Sequence, residues 1–280
     1  MEVEGWSPPL APATFLDELK NAGYDGTELG PYGYLPTDAE LLGAELRQRS
    51  LALISAFVPL RLKEPNTDLE PVRQVGRLLG ALGARHVVLA DALWPEREAV
   101  AGRVEETEVQ LTFNQWVTLA RNLGTASEAA AAFGLRCVFH HHAGSYIETP
   151  REIARLLEFS DIGLCLDTGH YIYGSGDPVE AVERFGPRVE YLHFKDVNAE
   201  RLADARQAKL GFLDGVRTGV FCPLGAGCVR FLELMQSLER IGYDGWAVVE
   251  QDVDTSGQSA TTPFQDAWVS REFLRNQLGI

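Results

Sequence analysis

Cysteine is scarce in this chain: Cys137, Cys165, Cys222 and Cys228 are the four it carries in 280 residues. No two form a C-x-x-C pair, which removes the usual zinc-ribbon and thioredoxin-like arrangements, and the first two lie inside apolar runs where a free thiol acts as a small hydrophobe. That usage predicts a reducing, cytoplasmic setting. Positive charge is also in deficit, with 25 Lys and Arg against 40 Asp and Glu, a formal net charge of −15. Such a field repels phosphate backbones and anionic membrane surfaces, so the expected partner is a small molecule, with neither nucleic acid nor membrane, and a homo-oligomer is compatible with it. No apolar run nears the roughly eighteen residues of a membrane span. The opening MEVEGWSPPLAPATF has no basic segment followed by an apolar one, which predicts no secretory signal. Linkers rich in Pro, Gly or Ser are missing as well, so one domain over residues 1–280 is expected.

What the chain does have is alternation: short apolar runs between longer amphipathic ones, the pattern of βα units and a parallel sheet. Strands are predicted at 26–29, 51–57, 86–90, 135–140, 162–166, 189–194 and 246–250, and helices at 13–21, 38–49, 69–82, 111–133, 150–159, 178–185, 229–241 and 263–276. Thr149 before Pro150 and Asp177 before Pro178 are cap-then-proline starts. AGYDG near Gly23 and IGYDG near Gly242 repeat one helix-stop and strand-entry design. The expected fold is an α/β (β/α)8 TIM barrel whose first strand, Met1 to Trp6, is short or truncated; an open doubly wound sheet is the alternative. Residues 198–227 read as a loop insertion over a functional face.

Polar residues gather at the carboxyl ends of the predicted strands: Glu28, Asp91, His140 to His142, Asp167 with His170, His193 with Lys195 and Asp196, and Glu250 with Asp252. In a parallel barrel these ends share one mouth. Carboxylates and neutral imidazoles there suit a divalent ion such as Mn²⁺, Mg²⁺, Co²⁺ or Zn²⁺. Such an ion polarises a carbonyl and a hydroxyl and stabilises the enediolate left when a base removes the neighbouring proton, the hard step in sugar isomerisation, epimerisation and dehydration. Lys195 and Asp196 either orient substrate or pair with each other, and alternation of a strand leaves at most His140 and His142 on the pocket side. Gly225 and Gly227 of PLGAGCVRF read either as a plain turn or as an anion-binding helix start.

CLDTGH, VEYLHFKDV, FCPLGAGCVRF and IGYDGWAVVEQD resemble the xylose-isomerase-like TIM-barrel superfamily, and within it the sugar isomerase and epimerase group; AGYDGTELGPYGYLPTDAELL and HHHAGSYIETP look like its inosose dehydratase branch. The resemblance runs from about Phe15 to Val253. It implies a metal, manganese among the candidates, held by Asp167, His193 and Glu250, with Glu148 as the fourth ligand in preference to His140. It further implies a lyase or isomerase of carbohydrate metabolism, inositol catabolism in the dehydratase case. Glu148 or Glu250 would then be the base, His170 or Lys195 the proton donor, and Glu28, His142, His170 and Lys195 the substrate contacts. A sugar phosphate or hydroxypyruvate-type isomerase or epimerase is the alternative enzyme. A DNA repair enzyme like endonuclease IV, or a barrel without catalysis, are readings from other classes.

Overall fold

The computed structural model describes residues 10–252, 254 and 262–280. The chain opens with α1 (Pro12–Ala22), β1 (Gly26–Glu28), α2 (Ala39–Arg49), β2 (Ala52–Ser55), β3 (Phe57–Leu60), α3 (Glu70–Ala81), β4 (His86–Asp91), α4 (Pro95–Glu98) and α5 (Phe113–Ala131). It continues with β5 (Arg136–His140), α6 (Pro150–Phe159), β6 (Gly163–Asp167), α7 (Thr168–Tyr173), α8 (Pro178–Phe185) and β7 (Val189–Phe194). After a short β8 (Asp196–Val197) come α9 (Ala199–Gln207), α10 (Phe212–Arg217), β9 (Phe221–Cys222), α11 (Phe231–Arg240), β10 (Ala247–Val249) and α12 (Pro263–Phe273).

β3, β4, β5, β6, β7 and β10 form one parallel sheet in that order, and β1 pairs in parallel with β2. The predicted strand 51–57 is thus broken at Ala56, whose carbonyl still accepts from Val88 N–H at 2.9 Å. Each main strand lies beside its predecessor, the winding of a barrel; a doubly wound sheet would reverse direction midway. The expected first strand, Met1 to Trp6, lies outside the described residues. Among those described, no helix is long and apolar enough to cross a membrane.

Helix starts follow local chemistry. Thr149 accepts from Glu152 N–H while the Glu152 side chain returns to the Thr149 N–H, and Asp177 accepts from Val179 N–H. Gly23 and Gly242 both take left-handed backbone angles (φ 90° and 70°), which explains why the two GYDG segments match.

The apolar faces of the helices pack on the outside of the sheet in one large cluster that includes Leu79, Leu119, Phe139, Leu166 and Phe194. A second layer fills the inside: Ile54, Val88, Val138, Cys165 and Tyr191, with Phe57 and Val248 against it. That inner layer positions the site. A strand repeats its facing every two residues, so the residues two steps beyond Val138, Cys165, Tyr191 and Val248 also point inward at the carboxyl end. They are His140, Asp167, His193 and Glu250.

The stretch expected as a loop, 198–227, is instead mostly ordered: α9, α10 and β9, the last pairing antiparallel with β8. Its apolar side chains, among them Leu202, Phe212, Val216 and Phe221, bury against Ala143 and Tyr173 in a cluster of their own. The expected position over one face is where it lies, because Phe212 sits 5.1 Å from His142 and 5.5 Å from His170 by ring centres.

Candidate active site

His140, Asp167, His193 and Glu250 each present one donor atom, and the four lie within 4.8 Å of one another. Asp167 Oδ2 is 3.3 Å from His140 Nε2 and 3.8 Å from His193 Nδ1. Glu250 Oε2 is 2.5 Å from His193 Nδ1 and 4.0 Å from His140 Nε2. Yet His193 Nδ1 and Glu250 Oε2 are both buried without a properly directed hydrogen bond. Lone pairs that crowd together and satisfy no donor fit a shared cation, and two imidazoles with two carboxylates suit a borderline divalent ion.

His193 is fixed from behind. Its Nε2 lies 3.2 Å from Glu28 Oε1, which also accepts from Ser55 Oγ (2.5 Å) and Tyr191 OH (3.0 Å). A carboxylate on the far nitrogen of a ligating histidine orients the ring and sets its tautomer. A register shift between Thr27 and Glu28 brings Glu28 opposite Ser55. Glu28, read from the sequence as a substrate contact, therefore spends its nearer oxygen on three internal partners.

The expected fourth ligand, Glu148, is placed elsewhere. Fully buried, it accepts from Gly102 N–H through Oε1 (2.6 Å) and from Gly144 N–H through Oε2 (2.7 Å), tying two loops together. The reason is its position after the strand has ended: His140 is the last inward residue of β5, and the chain turns away before Glu148. Burial pushes the Glu148 carboxyl up to about 7, against the pull of Arg97 and the two amides. The folded state thus binds this proton more tightly than the unfolded chain does, and stability falls as pH rises from 4.5 towards 7. Urea unfolding of the wild type across that interval should show a loss of about 3 kcal/mol that Glu148→Gln lacks. Parallel curves for the two proteins would show that Glu148 does not titrate there.

A second group adjoins the first. His142, His170 and Asp252 bring their donor atoms within 4.8 Å of one another. Lys195 Nζ stands among them, 2.7 Å from Asp252 Oδ2, 2.9 Å from His170 Nε2, 3.2 Å from Glu250 Oε1 and 3.5 Å from Asp167 Oδ2. Burial disfavours every charge here, but the opposite charges win. The Lys195 ammonium holds Asp167 and Glu250 well below the usual carboxylate range, and Asp167, Asp252 and Glu250 hold Lys195 above its ordinary value. Burial, followed by the neighbouring His170 and His140, pushes His142 well below 6.5 and keeps it neutral. Its Nδ1 donates to Ala143 O (2.7 Å), which leaves Nε2 as an acceptor.

The L-D-T-G-H run now has a residue-by-residue explanation. Asp167 faces the four-donor group and its Oδ1 caps α7 by accepting from His170 N–H at 2.7 Å. Thr168 Oγ1 donates to Lys195 O (2.7 Å) and accepts from Lys195 N–H (2.9 Å), clamping β7 to α7. A Cβ on Gly169 would fall 2.5 Å from Lys195 Cγ, so only glycine lets the lysine stem pass. His170 then reaches Lys195.

Lys195 and Asp196 do not pair with each other; alternation sends them to opposite faces. Asp196 accepts four backbone N–H groups, those of Gly225 and Gly227 on Oδ2 and of Val197 and Val229 on Oδ1. The Gly225 and Gly227 amides are thereby taken by this chain's own carboxylate. Asp91 likewise serves structure, accepting from Leu62 N–H, Trp94 Nε1 and Tyr146 N–H, and burial pushes it up to about 6. His86 begins β4, at the opposite end from the mouth, with its ring 5.5 Å from Tyr191. His141 accepts from Asp167 N–H through Nε2 (3.3 Å) and is fully buried. Sequence reasoning assigned no role to Asp252, Phe212 or Phe221; for Asp252 the signal was available, since it stands two residues beyond Glu250.

Glu28, His142, His193, Glu250 and Asp252 line one large cavity, with Tyr34, Phe57 and Trp246 among its apolar walls. A family model for the xylose isomerase-like TIM barrel matches residues 16–277. The chain belongs to that family. Within it, the rhizopine catabolism protein MocC of Rhizobium meliloti is 36% identical over 243 residues, 85% of this chain and 74% of MocC. An inosose dehydratase of Geobacillus kaustophilus is 32% identical over 272 residues, 92% of this chain and 85% of its own length. The fold also matches the crystal structure of an IOLI protein with a bound zinc atom, at a TM-score of 0.70 and 15% identity, covering 93% of this chain and 90% of that one. As a family member the chain has the barrel expected from its alternating runs.

Proposed function

We propose that this protein is a divalent-metal-dependent lyase that dehydrates a cyclic polyol ketone of the inosose class. The observation that carries the reading is the convergence of His140, Asp167, His193 and Glu250 on one point at the cavity wall, in a chain whose relatives include inosose dehydratases over most of its length. When bound, the ion would supply Lewis acidity towards the substrate carbonyl and its neighbouring hydroxyl.

The residues divide the remaining work. Glu250, kept ionised by the Lys195 ammonium against its burial and facing the cavity, accepts the proton next to the carbonyl. His142 offers Nε2 to a substrate hydroxyl. His170 and Lys195 stand behind His142 and Asp252, and this network returns a proton to the departing β-hydroxyl. Glu148, the other base read from the sequence, is engaged by Gly102 and Gly144 and takes no part.

Purified protein reconstituted with Mn²⁺, Co²⁺ or Zn²⁺ should convert inosose with the rise in ultraviolet absorbance of an unsaturated ketone, and a chelator should abolish the signal reversibly. A new ketose without that absorbance would favour the isomerase or epimerase reading instead. Inactivity on inosose and a ketose panel, together with no bound metal, would end both.

A further inference from the structure

Two groups of metal-grade side chains stand side by side at the mouth, and carboxylates reach from the first into the second. Glu250 turns Oε2 to His193 (2.5 Å) and Oε1 to Lys195 Nζ (3.2 Å), while Asp167 Oδ2 is 3.3 Å from His140 Nε2 and 3.5 Å from the same Nζ. A carboxylate shared in this way is how two-metal centres hold cations roughly 3.5–4 Å apart. The second seat has three donors of its own, His142, His170 and Asp252. It is filled by an ammonium, with Nζ 2.7 Å from Asp252 Oδ2 and 2.9 Å from His170 Nε2.

The surroundings hold that ammonium in place. Gly169 leaves the gap through which its stem passes, Thr168 clamps its backbone in both directions, and the Phe221 ring lies 5.0 Å from Nζ. Lys195 is itself fully buried, so the charge is not free to leave for water.

We infer that Lys195 is a built-in substitute for a second divalent ion, neutralising the group of His142, His170 and Asp252 and limiting the centre to one metal per chain. This rests on the first group being the metal site. The chemical consequence is a choice of reaction class. Two ions clamp both the attacking and the leaving oxygen of a displacement, the machinery of phosphoester cleavage. One ion beside an ammonium provides a Lewis acid and a hydrogen-bond donor, which suits proton removal next to a carbonyl.

The test is metal stoichiometry, with Co²⁺ as the probe, by equilibrium dialysis and visible absorption. Wild type should saturate at one Co²⁺ per chain, Lys195→Ala at two, and Lys195→Ala with Asp252→Ala at one again. Lys195→Met, which keeps the stem and removes the charge, should also take two and stands in if the alanine variant fails to fold. Two ions on the wild type, or one on a folded Lys195→Ala or Lys195→Met, would overturn the inference while leaving the metal reading of the first group intact. No ion on the wild type would overturn both.

Discussion

Replacing Glu250 with glutamine should lower kcat/KM by about a thousandfold or more, with weaker metal binding in the same variant. Glu250 supplies one oxygen to the four-donor group and the other to Lys195, so the substitution removes a charge of the proposed metal site, the proposed proton acceptor and a partner of the buried ammonium together. Glutamine has nearly the same shape, and Glu250 is a third exposed on the cavity side, so folding should persist. The measurements are steady-state kinetics, metal affinity by calorimetry and a near-ultraviolet circular dichroism spectrum. Activity within tenfold of wild type in a metal-loaded variant would remove Glu250 from both roles.

Asp196→Asn should be among the most destabilising isosteric changes in the chain, at roughly 3–5 kcal/mol. The carboxylate accepts four backbone N–H groups at 2.9 to 3.0 Å. An asparagine amide nitrogen in place of either oxygen would confront two of those donors with a third, leaving two N–H groups without their acceptor. The site leaves no room to adjust: a Cβ on Gly227 would fall 2.3 Å from Asp196 Oδ1. The urea midpoint should drop with little change in slope. A loss under about 1 kcal/mol would mean that water or a loop movement replaces the lost acceptor.

Much of the barrel was legible because short apolar runs and amphipathic helices alternate along most of the chain, and every predicted strand from 26 to 250 has a counterpart. Asp167, His193 and Glu250 were found because each follows an apolar run at its carboxyl end, and the structure gathers them. Between His140 and Glu148 the sequence pointed to Glu148, whereas the geometry gathers His140 with the other three. The difference is one of direction: His140 ends strand five two residues beyond the inward Val138, whereas Glu148 comes after the turn through 143–147. The insertion was misread because α9, AERLADARQ, buries only Leu202 and Ala205, so its sequence has almost no apolar face. Its anchors are Phe212 and Phe221, whose partners come from distant segments. The role of Asp196 was hidden for a similar reason, because three of its four donors lie 29 to 33 residues away.

Phe212 and Phe221 are nearly sealed from solvent and stand behind His142, His170 and Lys195, on the side away from the cavity. Hydration of the proposed catalytic groups is therefore one-sided. Once a ligand fills the cavity, the exchangeable hydrogens of this network form a closed pool, and a hydrogen lifted from the substrate stays within it until product departs. Deuterium in the solvent would then enter the product more slowly than the reaction turns over.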